Sequence, residues 1–203
     1  MAQLTQAFFQ KILAIEGGYQ DHPDDSGNYA CGQLIGTKYG VSAVAYSTWV
    51  GRCPSVDEIK NMSTATAFGF YAWYFDKYNL YPIQSQQFFE LLANNTMGSP
   101  VNAAKVEQRA LNKIGYNLSV DGIRGSATLA ALNDAWQKNP AQIYNLIRAD
   151  WIAYLHGLNK PQFLQGWLYR MNTYFPALGA AVAVGAGAAV ALLLLLFAFN
   201  PQS

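Results

Sequence analysis

The sequence is short of charge, and the charges it has are balanced. Only 12 % of its 203 residues are charged, with 13 lysines and arginines against 12 aspartates and glutamates. A protein that binds nucleic acid normally carries a basic stripe, and this composition offers none. We therefore expect no nucleic-acid partner.

Histidine and cysteine are scarce as well, with two of each. Two isolated cysteines and two distant histidines do not make a zinc site. The acidic stretch DDSGN at 24–28 lacks the alternation and the glutamate of a calcium loop. We therefore expect no metal and no cofactor. Whether Cys31 and Cys53 form a disulfide is left open by the sequence; the bond would stabilise the fold by roughly 3 kcal/mol.

Charge is absent altogether from the end of the chain. No charged residue follows Arg170, and residues 177–199 are a continuous run of Ala, Val, Leu, Gly and Phe. Such a run is long enough to cross the roughly 30 Å hydrocarbon core of a membrane. We expect a single transmembrane helix that anchors the protein in a lipid bilayer. Gly179, Ala183 and Gly187 recur at a spacing that allows close helix–helix contact, which predicts self-association of this helix.

Most of the chain before that run has the apolar periodicity of helices. Residues 20–54 are different, because they are rich in Gly, Ser, Thr and Tyr and predict turns and short strands. The sequence Asn-Asn-Thr-Met-Gly at 94–98 is expected to break the third of the long helices, 84–94. The fold is therefore predicted to be mainly α with a small irregular β region. A short helix is expected to begin at the capping box at 55–58. The long helices are predicted at 3–15, 64–78, 84–94, 101–114, 126–137, 140–158 and 161–174.

Glu16 stands at the end of the first predicted helix, where Gly17 and Gly18 form a left-handed cap. The negative end of the helix dipole disfavours a carboxylate, so we expect this group to hold its proton tightly. A carboxyl group that keeps its proton is what general-acid cleavage of a glycoside needs. Position alone does not distinguish this role from that of a surface glutamate beside a turn.

Five motifs occur in the order found in one family of enzymes. The chain resembles glycoside hydrolase family 108, lysozyme-like muramidases with a peptidoglycan-binding C-terminal half. The motifs are EGGY at 16–19 with Asp25 beyond it, TKYGVS at 37–42, YAWYFD at 71–76, DGIRGSATL at 121–129 and GWLYR at 166–170.

The resemblance implies a lysozyme-like α+β fold, to which the sequence adds the transmembrane helix. We expect a catalytic lobe over residues 1–98 and a peptidoglycan-binding second helical lobe of the same unit over 99–175, followed by the helix over 177–199. The implied substrate is bacterial peptidoglycan, and the implied reaction is hydrolysis of the β-1,4 bond between N-acetylmuramic acid and N-acetylglucosamine.

The same resemblance gives roles to individual residues. Glu16 would be the general acid, Asp25 the second carboxylate and Thr37 the residue that helps to hold the attacking water. Tyr19, Tyr39 and Asn95 would bind sugar. Three further acidic residues remain alternatives to the second carboxylate: Asp21, Asp24 and Glu90.

One segment departs from the family pattern. Residues 28–36 look like an insertion between the second carboxylate and the threonine. The insertion either bulges away from the cleft or reshapes it, and reshaping would weaken the role given to Thr37.

Two other functions fit the same motifs. One is a catalytically inactive, murein-binding structural protein of a membrane or virion. The other is a lytic transglycosylase, which needs the acid but no carboxylate that activates water. For the muramidase, a phage or viral origin would explain an enzyme placed at a host membrane or at the internal membrane of a virion, where it would serve cell-wall penetration or lysis.

Overall fold

A computed structural model describes residues 1–179 of the chain. The helices expected from apolar periodicity form within a few residues of their predicted bounds, and one more, α2, lies in the segment predicted to be turns and strands. In chain order the helices are α1 Gln6–Glu16, α2 Ala43–Val50, α3 Val56–Lys60, α4 Thr64–Lys77, α5 Gln86–Gly98, α6 Pro100–Lys113, α7 Ser126–Lys138, α8 Pro140–Gly157 and α9 Pro161–Tyr174.

The helix starts follow directly from the sequence. A serine or threonine side chain accepts a hydrogen bond from the first turn of several helices, with Thr5 before α1, Ser55 before α3, Ser63 before α4 and Ser85 before α5. Helices α6, α8 and α9 begin instead with proline, whose missing N–H costs nothing in the first turn.

Helix α5 is the central element, and most of its side chains are buried. It packs against α6 and α8. The predicted break at 94–98 is wrong, because α5 continues to Gly98. Thr96 donates to the Leu92 carbonyl at 2.7 Å, and the side chains of Asn94 and Asn95 bond to each other at 3.2 Å. Burial of this polar turn overrides its weak helix propensity.

Aromatic rings join the first helix to the centre of the fold. Phe8 of α1, Phe75 of α4 and Phe89 of α5 form a triangle with centroids 5.6–6.3 Å apart. All three rings are buried. Contacts of this kind add to the hydrophobic stabilisation of the core. They also fix the end of α1, and with it Glu16, relative to α4 and α5.

The β region consists of two short antiparallel hairpins. In the first, β1 Tyr29–Ala30 pairs with β2 Gln33–Leu34, and in the second, β3 Thr37–Lys38 pairs with β4 Val41–Ser42. A bridge from Gln20 to Thr37 ties the second hairpin to the chain that follows α1.

The first hairpin is the segment that looked like an insertion. Its turn, residues 31–32, and strand β2 are exposed, whereas residues 28, 30, 35 and 36 are buried. The tip of the insertion therefore bulges away from the body of the protein, while its base packs into it. Cys31 in that turn is disulfide-bonded to Cys53, with Cα atoms 6.1 Å apart. The bond anchors the tip of the hairpin to the loop after α2.

A buried ion pair links the two halves of the chain. Arg124 donates to both carboxylate oxygens of Glu107 at 2.6 Å, to Thr96 at 2.7 Å and to the Tyr78 carbonyl at 3.3 Å. Burial raises the pKa of Glu107, and the guanidinium opposes that shift. Residues before and after position 98 therefore share one polar cluster as well as one core.

The predicted transmembrane helix has to be corrected. Among residues 1–179 no helix is long and apolar enough to cross a membrane. Helix α9 ends at Tyr174, and residues 178 and 179, within the start of the expected span, form a turn with Gly179 at φ 78°. The fold class supported is mainly helical with small β-hairpins. The rest of the expected span, 180–199, with Ala183 and Gly187, lies outside the described residues, and the membrane location stays a prediction.

Candidate active site

A cleft opens where the end of α1, the second hairpin, α2, α4 and the α5–α6 junction meet. We call it the central cleft. Polar and aromatic side chains line it, and the lining residues are Glu16, Gly27, Thr37, Gly40, Ser42, Val44, Ala45, Thr48, Phe70, Tyr71, Trp73, Tyr74, Lys77, Tyr78, Met97, Gly98, Ser99, Pro100 and Arg170.

Glu16 is the last residue of α1, and Gly17 caps the helix at φ 66°. Its carboxylate forms an ion pair with Arg170 of α9, whose Nη2 donates to Glu16 Oε1. The two side chains are only 6 % and 7 % exposed. A buried charge is stable only when it is paired and hydrogen-bonded, and here the partners come from opposite ends of the chain.

A tight turn presses against Glu16 from the second hairpin. Tyr39 and Gly40 both have positive φ angles, 53° and 74°. The buried Tyr71 donates its hydroxyl to the Tyr39 carbonyl at 2.8 Å. Burial, and next the charge of Glu16, raise the pKa of Tyr71 well above its usual value, so this phenol remains a hydrogen-bond donor.

Gly40 is required at the crowded point of this turn. A Cβ there would lie 2.5 Å from Tyr71 Oη and 2.8 Å from Glu16 Cγ. Such distances are far inside van der Waals contact, and the positive φ is costly for any residue with a side chain. The turn therefore acts as a close-fitting wall that keeps Glu16 in place.

Thr37 lines the cleft and is oriented by a buried network of amides. Its hydroxyl donates to Asn28 Oδ1 at 2.7 Å, and that oxygen also accepts from Gln20 Nε2 at 2.9 Å. Asn28 Nδ2 donates in turn to Gln20 Oε1 at 2.8 Å. Because the only proton of the Thr37 hydroxyl is committed to Asn28, its oxygen is left to accept a hydrogen bond from the cleft.

Asp25 lies at the far end of that network. Its Oδ2 accepts from Gln20 Nε2 at 3.0 Å, and its Oδ1 caps a short 3₁₀ turn by accepting from Gly27 N at 2.9 Å. Asp25 is buried and does not line the cleft, but Gly27 does. A Cβ at Gly27 would lie 3.1 Å from Asp25 Oδ1. The carboxylate therefore sits directly behind a residue that has no side chain.

The three predicted sugar-binding residues are not among those that line the cleft. Tyr19 donates to the Ile35 carbonyl at 2.9 Å and packs beneath the first hairpin, and burial raises its pKa. The Tyr39 ring lies 5.0 Å from Lys38 Nζ. Asn95 is fully buried within α5.

The alternatives to Asp25 lie away from the cleft as well. Asp21 and Asp24 are exposed. Glu90 forms an ion pair with Lys11 at 2.7 Å. Of the residues given roles from the sequence, the structure thus brings Glu16 and Thr37 to the cleft, with Asp25 one layer behind them.

Two protein-family models match successive parts of the chain. The family model described as glycosyl hydrolase 108 matches residues 9–97, and the model described as predicted peptidoglycan domain matches residues 102–172. The first half of the chain is thus similar to glycosyl hydrolase 108, and the second half is similar to a peptidoglycan domain. Comparison with curated proteins gave no match.

A solved structure is similar as well. SagA of Brucella abortus superposes with a TM-score of 0.65 at 27 % identity, over 83 % of this chain and 91 % of SagA. Together with the two family models, this similarity supports a peptidoglycan hydrolase of the glycoside hydrolase class.

Arg170 is the site residue that sequence reasoning missed as a functional group, although it closes the last of the five sequence motifs, GWLYR at 166–170. A signal was present, because Arg170 lies three residues after Trp167 and directly before Met171. All three are buried on one face of α9. An arginine on an apolar helix face requires a partner of opposite charge, but the sequence does not say which one.

Proposed function

We propose that this protein is a muramidase that hydrolyses the β-1,4 bond between N-acetylmuramic acid and N-acetylglucosamine in peptidoglycan. The observation that carries the proposal is Glu16, a buried carboxyl group in an open cleft whose walls are aromatic and polar. The family-108 match over residues 9–97 and the peptidoglycan-domain match over residues 102–172 support the class of reaction and the polymer.

The cleft offers a surface for sugar rings next to the acid. Trp73, Tyr74 and Tyr78 line it along α4 and its end, and Lys77 Nζ lies 4.8 Å from the Trp73 ring centre. Aromatic faces provide apolar contact for a sugar while leaving its hydroxyl groups solvated. The cationic Lys77 suits a polymer that carries carboxylate groups.

Glycoside cleavage begins with protonation of the leaving oxygen, and Glu16 is the acid in this scheme. The turn at Tyr39–Gly40 and the phenol of Tyr71 restrict the movement of its side chain. Such restriction matters because the proton must be delivered to one oxygen atom in one geometry.

In this scheme Thr37 binds the attacking water. The Thr37 oxygen is left as an acceptor by its bond to Asn28, so it binds the water through one of the water's own protons. Asp25, behind Gly27, is the base proposed to accept the other proton. Its position behind the wall suits action through a water rather than direct attack on the sugar, and we therefore propose inversion of configuration.

One observation favours a second reaction, that of a lytic transglycosylase. Among residues 1–179, Glu16 is the only carboxylate that lines the cleft. A transglycosylase needs no carboxylate to activate water, since the sugar's own 6-hydroxyl closes an anhydro ring. The role of Asp25 decides between the two reactions.

The test is digestion of purified peptidoglycan by the full chain, with the released fragments identified by mass spectrometry. Asp25→Asn is compared with Asp24→Asn, which changes the neighbouring exposed aspartate. We expect reducing-end fragments from the parent and from D24N and almost none from D25N. Anhydro ends, formed equally by D25N, would establish the transglycosylase. A folded parent that releases nothing but binds peptidoglycan would establish the inactive binding protein.

A further inference from the structure

We propose that Arg170 is a positioning residue for the general acid, so that the C-terminal half completes the catalytic centre. This inference rests on the proposed function. It extends the role of the half that matches a peptidoglycan domain, because residues 102–172 would then take part in the chemistry as well as in binding the polymer.

The first step is the placement of the guanidinium. Arg170 lies on the buried face of α9, its side chain is 7 % exposed, and its Nη2 donates to Glu16 Oε1 at the cleft wall. The two residues are 154 positions apart. The contact therefore exists only when α9 is docked against the end of α1.

The second step is the rigidity of the element that carries it. Helix α9 packs on α8, and Met171 Sδ accepts from Asn94 Nδ2 of α5 at 3.3 Å. Arg148 of α8 donates to the Phe175 carbonyl at 2.7 Å and to Asn172 Oδ1 at 2.5 Å, which secures the C-terminal end of α9. These contacts hold α9 in place, and with it the position of the guanidinium relative to Glu16.

The third step is the chemistry of the pair. When Glu16 gives its proton to the glycosidic oxygen, negative charge develops on its carboxyl group. A guanidinium already in contact stabilises the partial charge of the transition state relative to the protonated acid, which lowers the barrier to cleavage rather than the energy of substrate binding.

A purely structural role makes a different prediction. If the ion pair served only to dock α9, any change that loosens α9 would reduce activity in the same way. Arg148 provides the matched control, because it holds α9 through backbone and amide oxygens and does not line the cleft.

The experiment measures kcat and KM of the full chain on soluble peptidoglycan fragments for Arg170→Lys, Arg170→Gln and Arg148→Gln. We expect kcat to fall about 100-fold in R170Q and about tenfold in R170K at nearly constant KM, by analogy with loss of one charge-stabilising donor. The R148Q variant should keep kcat within about threefold of the parent.

The outcomes separate the inference from the function it rests on. A parent that releases no fragments overturns both. An active parent with R170K within about threefold in kcat overturns only the inference, and R170K folds more readily than R170Q because it retains the buried charge. Equal losses of kcat in R148Q and R170Q would likewise overturn it and assign the pair to docking of α9.

Discussion

Replacement of Gly40 by alanine tests how tightly the turn of the second hairpin holds Glu16. The new Cβ would lie 2.5 Å from Tyr71 Oη, 2.8 Å from Glu16 Cγ and 2.9 Å from Glu16 Cδ. Neither neighbour can move freely, because Tyr71 is bonded to the Tyr39 carbonyl and Glu16 to Arg170. The substitution therefore has to displace the carboxyl group or deform the turn.

Two effects of the G40A substitution lower the free energy of unfolding. The left-handed backbone at φ 74° costs about 1–2 kcal/mol for a residue with a Cβ. Overpacking adds about 1–3 kcal/mol. At about 2–4 °C per kcal/mol for a chain of this size, the melting temperature of G40A should fall by roughly 4–20 °C. Activity should fall by more than tenfold, since small displacements of a catalytic group are costly.

The matched control is Gly51→Ala. Gly51 has nearly the same φ, 71°, but an added Cβ would meet no atom within 4 Å. G51A should therefore show only the backbone cost, about 1–2 kcal/mol, and full activity. Calorimetry and the fragment-release assay measure both variants. If G40A matched G51A in melting temperature and kept parental activity, Glu16 would not be held by this turn.

Three further predictions concern parts of the molecule around the cleft. Replacing Cys31 and Cys53 by serine should lower stability by about 3 kcal/mol in a denaturant titration, with activity at 25 °C unchanged because neither residue lines the cleft. A hydrogen bond from Arg52 lowers the pKa of Glu58 to about 2, so its stabilisation is present above pH 4.5 and lost as the pH falls toward 2. The melting-temperature advantage of the parent over Glu58→Gln should shrink across that window, and a constant difference would count against the pair. Trp73→Ala should raise KM roughly tenfold with little change in kcat; unchanged KM would remove Trp73 from the sugar surface.

Local signals were sufficient to predict most helices and the position of Glu16. Thr5 and Gly17 bracket α1, and a glycine pair after an apolar stripe leaves few alternatives to a helix end. Helix α2 was missed although Ser42 caps its start and Gly51 its end. Its run of small and apolar residues has no helical period, and the surrounding glycines and tyrosines favour turns.

The composition of the site was less predictable, because its contacts join distant parts of the chain. The pairing of Glu16 with Arg170 depends on how α9 docks, which no local pattern encodes. Asp25 lies in a turn that its own carboxylate caps. Its spacing from Glu16 along the sequence therefore does not reveal that Gly27 stands between it and the cleft. A continuous apolar run also predicted a membrane helix from residue 177, but residues 178 and 179 form a turn in the structure.

The account depends most directly on Glu16 as the acid that cleaves peptidoglycan. The decisive measurement is the rate of fragment release by the full chain carrying Glu16→Gln, beside Glu90→Gln, which changes a glutamate paired with Lys11 outside the cleft. We predict that E16Q folds and loses at least about 100-fold in kcat, in line with loss of a general acid, while E90Q remains near the parent. A folded E16Q that releases fragments at the parental rate would contradict the account.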